Sequence, residues 1–393
     1  MRKSDFKSVI GLFLGWRSLL FITAFLAGII IPVFGSRFPY WDRVLTITNL
    51  PNWVWGFGNF DGVHYLKIAQ NGYSSNLSQA FFPLYPYLVK FFNIFSKDKY
   101  LDLQLFVDPS YFYTAMVLSA VFFIFALYFL VKLWRENYNS KTAFLSILLL
   151  CSFPTAFYFG AVYSESLLLL LIVLTFWFAK KGKFFWAGIM AALASITKIQ
   201  GALLFVFLAV EFFVRYRKEK LRMSKKLLFD FAGVLLSPSG LIGYMFYLQE
   251  STGNPFFFLS AQPGFGAERS ALPVILLPQV IYRYFKIFFS VNLFSLSFFN
   301  AFLEFFITMA LIVVLIMAFR KMKFSYWLFS ALAVILPTLT GTFSSMPRYA
   351  LMAFMLFPFL AVRYKKDIKL IIIAQAFLQV VLLSMFIRGY WVS

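Results

Sequence analysis

Long apolar runs, punctuated by short polar and mostly basic stretches, set the pattern of this chain. Runs such as "SAVFFIFALYFLV", "SESLLLLLIVLTFWFA" and "AFLEFFITMALIVVLIMAF" carry almost no charge. Crossing the hydrocarbon takes roughly 20 apolar residues as a helix. In lipid each backbone group must also bond within its own segment, so the runs predict membrane-spanning helices and no strands. They fall at about 9–34, 111–131, 142–161, 165–179, 184–197, 201–214, 227–249, 300–319, 324–340, 348–362 and 369–387, eleven in all.

Two stretches between the runs are too long to be connectors. The first, about residues 35–110, holds amphipathic pieces such as "AFFPLYPYLVKFFNIF", whose prolines break any full span. It predicts helices lying in the interface. The second, about 250–299, reads as a loop, "TGNPFFFLSAQPGFGAERSALP", followed by an interfacial helix, "VILLPQVIYRYFKIFF". With no internal repeat and no soluble domain, residues 1–393 predict one all-α integral membrane unit, a polytopic bundle of about eleven helices.

Composition agrees: 62% of the 393 residues are hydrophobic, 13% are charged, and mean hydropathy is +0.81. A soluble domain averages about 45–50% apolar and about 25% charged residues. The net charge of +21 would point to nucleic acid in a soluble protein. Here 23 of the 36 basic residues sit in alternate loops, including "KKGK", "RYRKEKLRMSKK", "RKMK" and "RYKKDIK". This bias puts the amino end in the cytoplasm and the carboxyl end outside a cell membrane, with no nucleic-acid partner. The amino-terminal apolar stretch exceeds that of a signal peptide and reads as a retained first span. Cys151, the lone cysteine, lies in an apolar run and reads as a core residue.

Ionisable groups at membrane depth are costly and tend to mark function; the informative ones here fall on the predicted outer side. In "DGVHYLKIAQNGY", Asp61, His64, Tyr65 and Ile68 share one helical face. Asp61 and His64 can bond to each other or face a common substrate, while Asp61 also suits a helix N-cap. "FGAVYSESLLLL" offers Tyr163, Ser164 and Glu165 at an outer turn, where a helix start explains the Ser and Glu equally well. "ASITKIQGALLF" adds Lys198 and Gln200, the lysine being a candidate for snorkelling. "SSMPRYALMAF" adds Arg348 and Tyr349, and an arginine in so short an outer loop asks for an anionic partner. One aspartate among basic groups suits transfer from a lipid phosphate, because a phosphate leaving group needs positive charge while the aspartate acts as base.

"FDGVHYLKIAQNGY", then "AFFPLYPYL", "FPTAFYFGAVYSESLLL", "SSMPRYALMAFMLFP" and the closing "RGYWVS" together resemble, in order, the blocks of the PIG-V type mannosyltransferases. The resemblance runs from about residue 55 to the carboxyl end. It implies a GT-C glycosyltransferase that uses a polyprenyl-phosphate sugar, typically mannose, and inverts the anomeric centre, with the membrane lipid-linked donor and a glycan, lipid or protein acceptor as partners. By that likeness Asp61 is catalytic and His64, Tyr163, Glu165 and Arg348 belong to the family's motifs; together with Tyr65, Lys198, Gln200 and Tyr349, singled out by their positions, they are expected to bind substrate. Phe60 stands where the family usually has tryptophan, and Lys198 where relatives tend to have arginine. The expectation includes no cofactor and no metal, since one histidine and one cysteine supply no ligand cluster, and it leaves room for a small membrane partner. Two rival readings stand beside it: a lipid or glycan transporter, for which Arg17 and Glu304 are the polar groups within spans, and a silent subunit that binds a lipid-linked glycan.

Overall fold

The computed structural model describes residues 3–35, 38–75, 77–94, 106–218, 224–265, 269–270 and 274–392. Arg2, Arg37, Lys97 and Lys99, and residues 219–223 of the largest basic loop, lie outside the described residues. The described residues are helical or irregular, with no strand. Helices of eight residues or more are α1 (Lys3–Ile30), α2 (Asp61–Asn71), α3 (Leu84–Phe92), α4 (Pro109–Arg135), α5 (Ser140–Ser152), α6 (Glu165–Lys180), α7 (Phe184–Ser195), α8 (Leu204–Lys218), α9 (Lys225–Leu236), α10 (Ser239–Thr252), α11 (Leu277–Ser290), α12 (Leu296–Ala318), α13 (Phe324–Thr338), α14 (Leu356–Arg363) and α15 (Ile368–Ile387).

Every one of the eleven apolar runs is helical, yet they are not eleven uniform spans. Five segments are long and apolar enough to cross a membrane: Phe6–Ile30, Pro109–Arg135, Ile199–Arg217, Leu296–Ala318 and Ile368–Ile387. Two bent pairs meet the same criterion only when taken together, as broken spans or re-entrant loops: α9 with α10, bent by 41°, and Met346–Met352 with α14, bent by 91°. The breaks have local causes. Pro238 interrupts α9–α10, and Pro154 forces Phe153 to an extended ψ of 138°, which ends α5. Hydropathy cannot see such breaks, because the interrupted segments stay apolar; after Pro154 protein covers the break, with Phe157, Tyr158, Phe159 and Val162 all fully buried. Helices stand where interfacial pieces were expected, α2 and α3 in the first long stretch and α11 in the second.

The ends of the bundle differ in charge. Glu136 pairs with Lys180 and Lys181 at the carboxyl ends of α4 and α6. Glu165 opens α6 at the other end, about 24 Å away at 1.5 Å per residue. Gly35 donates its N–H to the Arg388 carbonyl, so the segments following α1 and α15 meet at one end.

Small residues set the closest helix contacts, as lipid-embedded packing favours. A Cβ built on Gly188 of α7 would lie 1.8 Å from the Gly233 carbonyl oxygen of α9. Gly188→Val therefore forces the two backbones apart. It is expected to lower the unfolding midpoint in detergent, by roughly 1–3 kcal/mol or more of overpacking; an unchanged melting curve would refute this contact.

Candidate functional site

Two chain reversals bring the key residues together. Phe60 has φ 58° and ψ −113°, a costly conformation for a residue with a side chain, and it turns the chain so that Asp61 begins α2. Ser345, at φ 65°, does the same ahead of the short turn Met346–Tyr349 that carries Arg348. Such strain persists only where the surroundings enforce it. Gly62 serves this end too, since a Cβ there would sit 3.2 Å from the Val162 carbonyl oxygen.

Asp61 is not a helix cap: Phe60 occupies the N-cap position, and no side chain bonds there. Asp61 Oδ2 instead accepts from Arg348 Nη1 at 2.7 Å, joining residues 287 positions apart. Its Oδ1 accepts no hydrogen bond among the described residues. Arg348 Nε lies 3.4 Å from Glu165 Oε1 as an ion pair, although the angle makes no hydrogen bond. Lys198 Nζ donates to the same Glu165 oxygen at 2.6 Å. The lysine is thus paired rather than snorkelling, its side chain only 15% exposed.

Tyrosines frame this network. Tyr163 donates its hydroxyl to the Asn59 carbonyl at 2.8 Å and accepts the Asp61 backbone N–H at 3.2 Å, fixing the start of α2. Tyr65 shares a hydrogen bond with Ser164 at 3.0 Å. The Arg348 guanidinium lies 5.3–5.7 Å from the ring centres of Tyr158, Tyr163 and Tyr349, within cation–π reach.

These groups border a cavity of about 1110 Å³, large even against the roughly 300–1,000 Å³ of common ligand sites. Asp61, His64, Tyr65, Lys198, Gln200, Arg348 and Tyr349 all line it. Tyr163 and Glu165 do not; both are fully buried behind the wall, where they hold Asp61 and Arg348. The sequence reading missed Arg269, Tyr284, Asn300 and Trp391, which also line the cavity. Arg269 sits in the stretch "TGNPFFFLSAQPGFGAERSALP", where no motif marks it. Trp391 belongs to the closing motif, whose backbone accepts from Asn300 at 2.8 Å and whose ring meets Phe60 at 5.0 Å.

Of the polar groups noted within spans, Arg17 donates to the Gly160 carbonyl at 2.6 Å between the Phe21 and Phe57 rings, and Glu304 accepts from Tyr284 at 2.5 Å. Arg17 is therefore part of the packing. Glu304 lines the cavity.

Burial tends to raise the Asp61 carboxyl. The Arg348 charge and hydrogen bond, with Lys198 and His64, outweigh burial and hold it below the usual carboxylate range. Asp61 is an anion at neutral pH. His64 makes no bond to it. Its ring stacks on Phe81 at 4.7 Å, and its buried Nδ1 has no hydrogen-bond partner. Burial pushes the imidazole down to about 4, against the pull of Asp61 and with the push of Lys67. An unfolded imidazole titrates near 6.5, so between pH 6.5 and 4 the unfolded chain binds more protons. The stability tied to neutral His64 is full above about pH 6.5 and lost progressively as pH falls towards 4. His64→Gln is expected to leave the shape of the pH–rate profile between pH 5 and 8 unchanged; disappearance of an inflection in that window would contradict a neutral imidazole.

An all-helical, multi-pass membrane protein with a large cavity at one end, bordered by a carboxylate and arginines, is the class that fold and site define. Residues 101–242 match the family model of glycosyltransferase family 87. The chain is also similar to GPI mannosyltransferase 2 of Drosophila pseudoobscura pseudoobscura, at 28% identity over 138 residues, which cover 34% of this chain and 28% of that protein. Among solved structures it is similar to the oligosaccharyltransferase of Archaeoglobus fulgidus tethered with an acceptor peptide, at a TM-score of 0.45 and 14% identity, covering 96% of this chain and 55% of that one. The match thus spans under a third of the curated relative and about half of the solved one. Both the family match and the curated match are to glycosyltransferases, the latter to a mannosyltransferase.

Proposed function

We propose that the protein transfers a hexose, mannose by its kinship, from a polyprenyl-phosphate sugar to an acceptor hydroxyl, with inversion at the anomeric carbon. The observation that carries this reading is the Asp61 carboxylate on the cavity wall, with Oδ2 held by Arg348 and Oδ1 unengaged. The acceptor oxygen attacks the anomeric carbon as the bond from that carbon to the phosphate oxygen breaks. The bonding pair leaves on the phosphate, and the hydroxyl proton passes to Asp61. Charge on the departing phosphate rises from one negative towards two, so fixed cations in the cavity stabilise the transition state more than the ground state. Arg348 and Lys198, with the buried Glu165, fix Asp61 for this role. The basic loops at the opposite end of α6 support, through the positive-inside bias, a reading in which transfer takes place at the outer face.

Both carboxylates in the network face a cation, and no group of three His, Cys, Asp or Glu residues gathers among the described residues. Transfer is accordingly expected to proceed in EDTA. The test supplies purified protein with radiolabelled polyprenyl-phosphate mannose and, separately, glucose, with membrane lipids as acceptors. Consumption of one donor, undiminished by EDTA, supports the reading. A requirement for added divalent cation overturns the metal-independent mechanism, and failure to consume either donor in acceptor-replete native membranes overturns the activity.

A further inference from the structure

The cations nearest Asp61 are already balanced. Arg348 and Lys198 face Asp61 and Glu165, two positive charges against two negative, within 2.6–3.4 Å. A phosphodiester entering the cavity would meet a neutral network there, and capturing either cation would strip a buried carboxylate of its partner, at a large cost. Donor charge therefore calls for a further cation on the same cavity wall.

Arg269 answers that description. It lines the cavity, and its guanidinium donates to two neutral oxygens, Gln262 Oε1 at 2.8 Å and Ser345 Oγ at 2.9 Å. A guanidinium has five N–H donors, so these bonds orient it while leaving others available, and no carboxylate among the described residues forms an ion pair with it. Its position is well tied down. Ser270 donates its N–H to the Thr340 carbonyl at 2.8 Å, and Ile275 to the Leu339 carbonyl at 3.1 Å, so these two residues are tied to the turn leading into Arg348. Ser345, its hydrogen-bond partner, is the residue of positive φ that opens the Arg348 turn.

We infer that Arg269 binds the phosphate of the lipid-linked substrate, leaving Arg348 and Lys198 to the carboxylates. The inference rests on the proposed transfer reaction for the identity of the phosphate, and it assigns the ligand chemistry as a phosphate ester. Arginine suits it, because its planar fork engages two phosphate oxygens at once. Ser345 then links the occupied phosphate site to the turn that carries Arg348.

The test is direct binding to the full-length protein in lipid nanodiscs, independent of turnover, with radiolabelled polyprenyl phosphate, the matching polyprenol, and inorganic phosphate as competitor. Wild type is expected to prefer polyprenyl phosphate to polyprenol, and Arg269→Ala to lose about 10–100-fold of that preference, as for a charged hydrogen-bonded contact. Arg269→Lys is expected to recover part of it. Arg269→Gln, which keeps a donor amide, provides the neutral comparison should the alanine variant fail to fold. Retained preference in both neutral variants overturns the assignment, as does a wild type that cannot tell polyprenyl phosphate from polyprenol. Displacement by millimolar inorganic phosphate would instead assign the site to free phosphate. Hexose transfer is scored separately: if transfer occurs but Arg269 proves irrelevant to binding, only this inference fails, and if binding depends on Arg269 but no donor is consumed, only the proposed reaction fails.

Discussion

Arg348→Ala is expected to abolish detectable transfer and to destabilise the folded protein together. The guanidinium is the hub of the site. It is 6% exposed, bonds Asp61 at 2.7 Å, and lies 3.4 Å from a Glu165 whose side chain is 2% exposed. Removing one partner of a buried pair costs about 3–5 kcal/mol, since it strands the other charge; the lower end applies here, because Lys198 still faces Glu165 and Asp61 retains 22% exposure. Arg348→Lys keeps the charge but not the fork that reaches both carboxylates. It should restore much of the stability and little of the activity. Thermal unfolding in detergent alongside initial transfer rates would separate the two effects, and wild-type behaviour of the alanine variant in both would remove Arg348 from the account.

The other large effect is expected at Asp61. Asp61→Asn preserves size and can still accept from Arg348, yet it cannot take a proton. General-base catalysis contributes about 10²–10⁴-fold, so residual transfer should fall to about 1% of wild type or less. Because Arg348 and Lys198 hold the carboxylate below its usual range, kcat/KM should stay flat from about pH 5 upward, with any acid limb below the ordinary aspartate range. A strongly stabilised carboxylate is a weak base in the resting site. It suffices here, because an acceptor hydroxyl becomes strongly acidic as its oxygen bonds to the anomeric carbon. Folding carries the same sign: stability from ionised Asp61 is present at neutral pH and lost as pH falls through the carboxylate's lowered pKa.

The individual site residues were legible in the sequence because charge is rare at membrane depth, so Asp61, Glu165, Lys198 and Arg348 each stood out. Their partnership was not legible. Helical periodicity relates neighbours such as Asp61 and His64, and it left open a bond between them, a common substrate or a helix cap; the structure pairs Asp61 with a residue 287 positions away. The positive φ at Phe60, which removes Asp61 from the cap position, has no glycine to announce it. Tyr163 and Glu165 looked like wall residues because an outer turn is accessible by default, and only packing shows them behind the cavity. Likewise every apolar run fell on helix, yet the runs did not show the breaks at Pro154 and Pro238, because the segments on either side of each break stay apolar.

The central claim is that Asp61 is the base of a sugar transfer that takes place in this cavity. It is tested most directly by single-turnover transfer from radiolabelled polyprenyl-phosphate mannose in native membranes, with wild type and Asp61→Asn at equal expression and donor binding measured in parallel. The account predicts that both proteins bind donor within a few-fold of each other while only wild type moves the sugar. Equal transfer by the asparagine variant would contradict it.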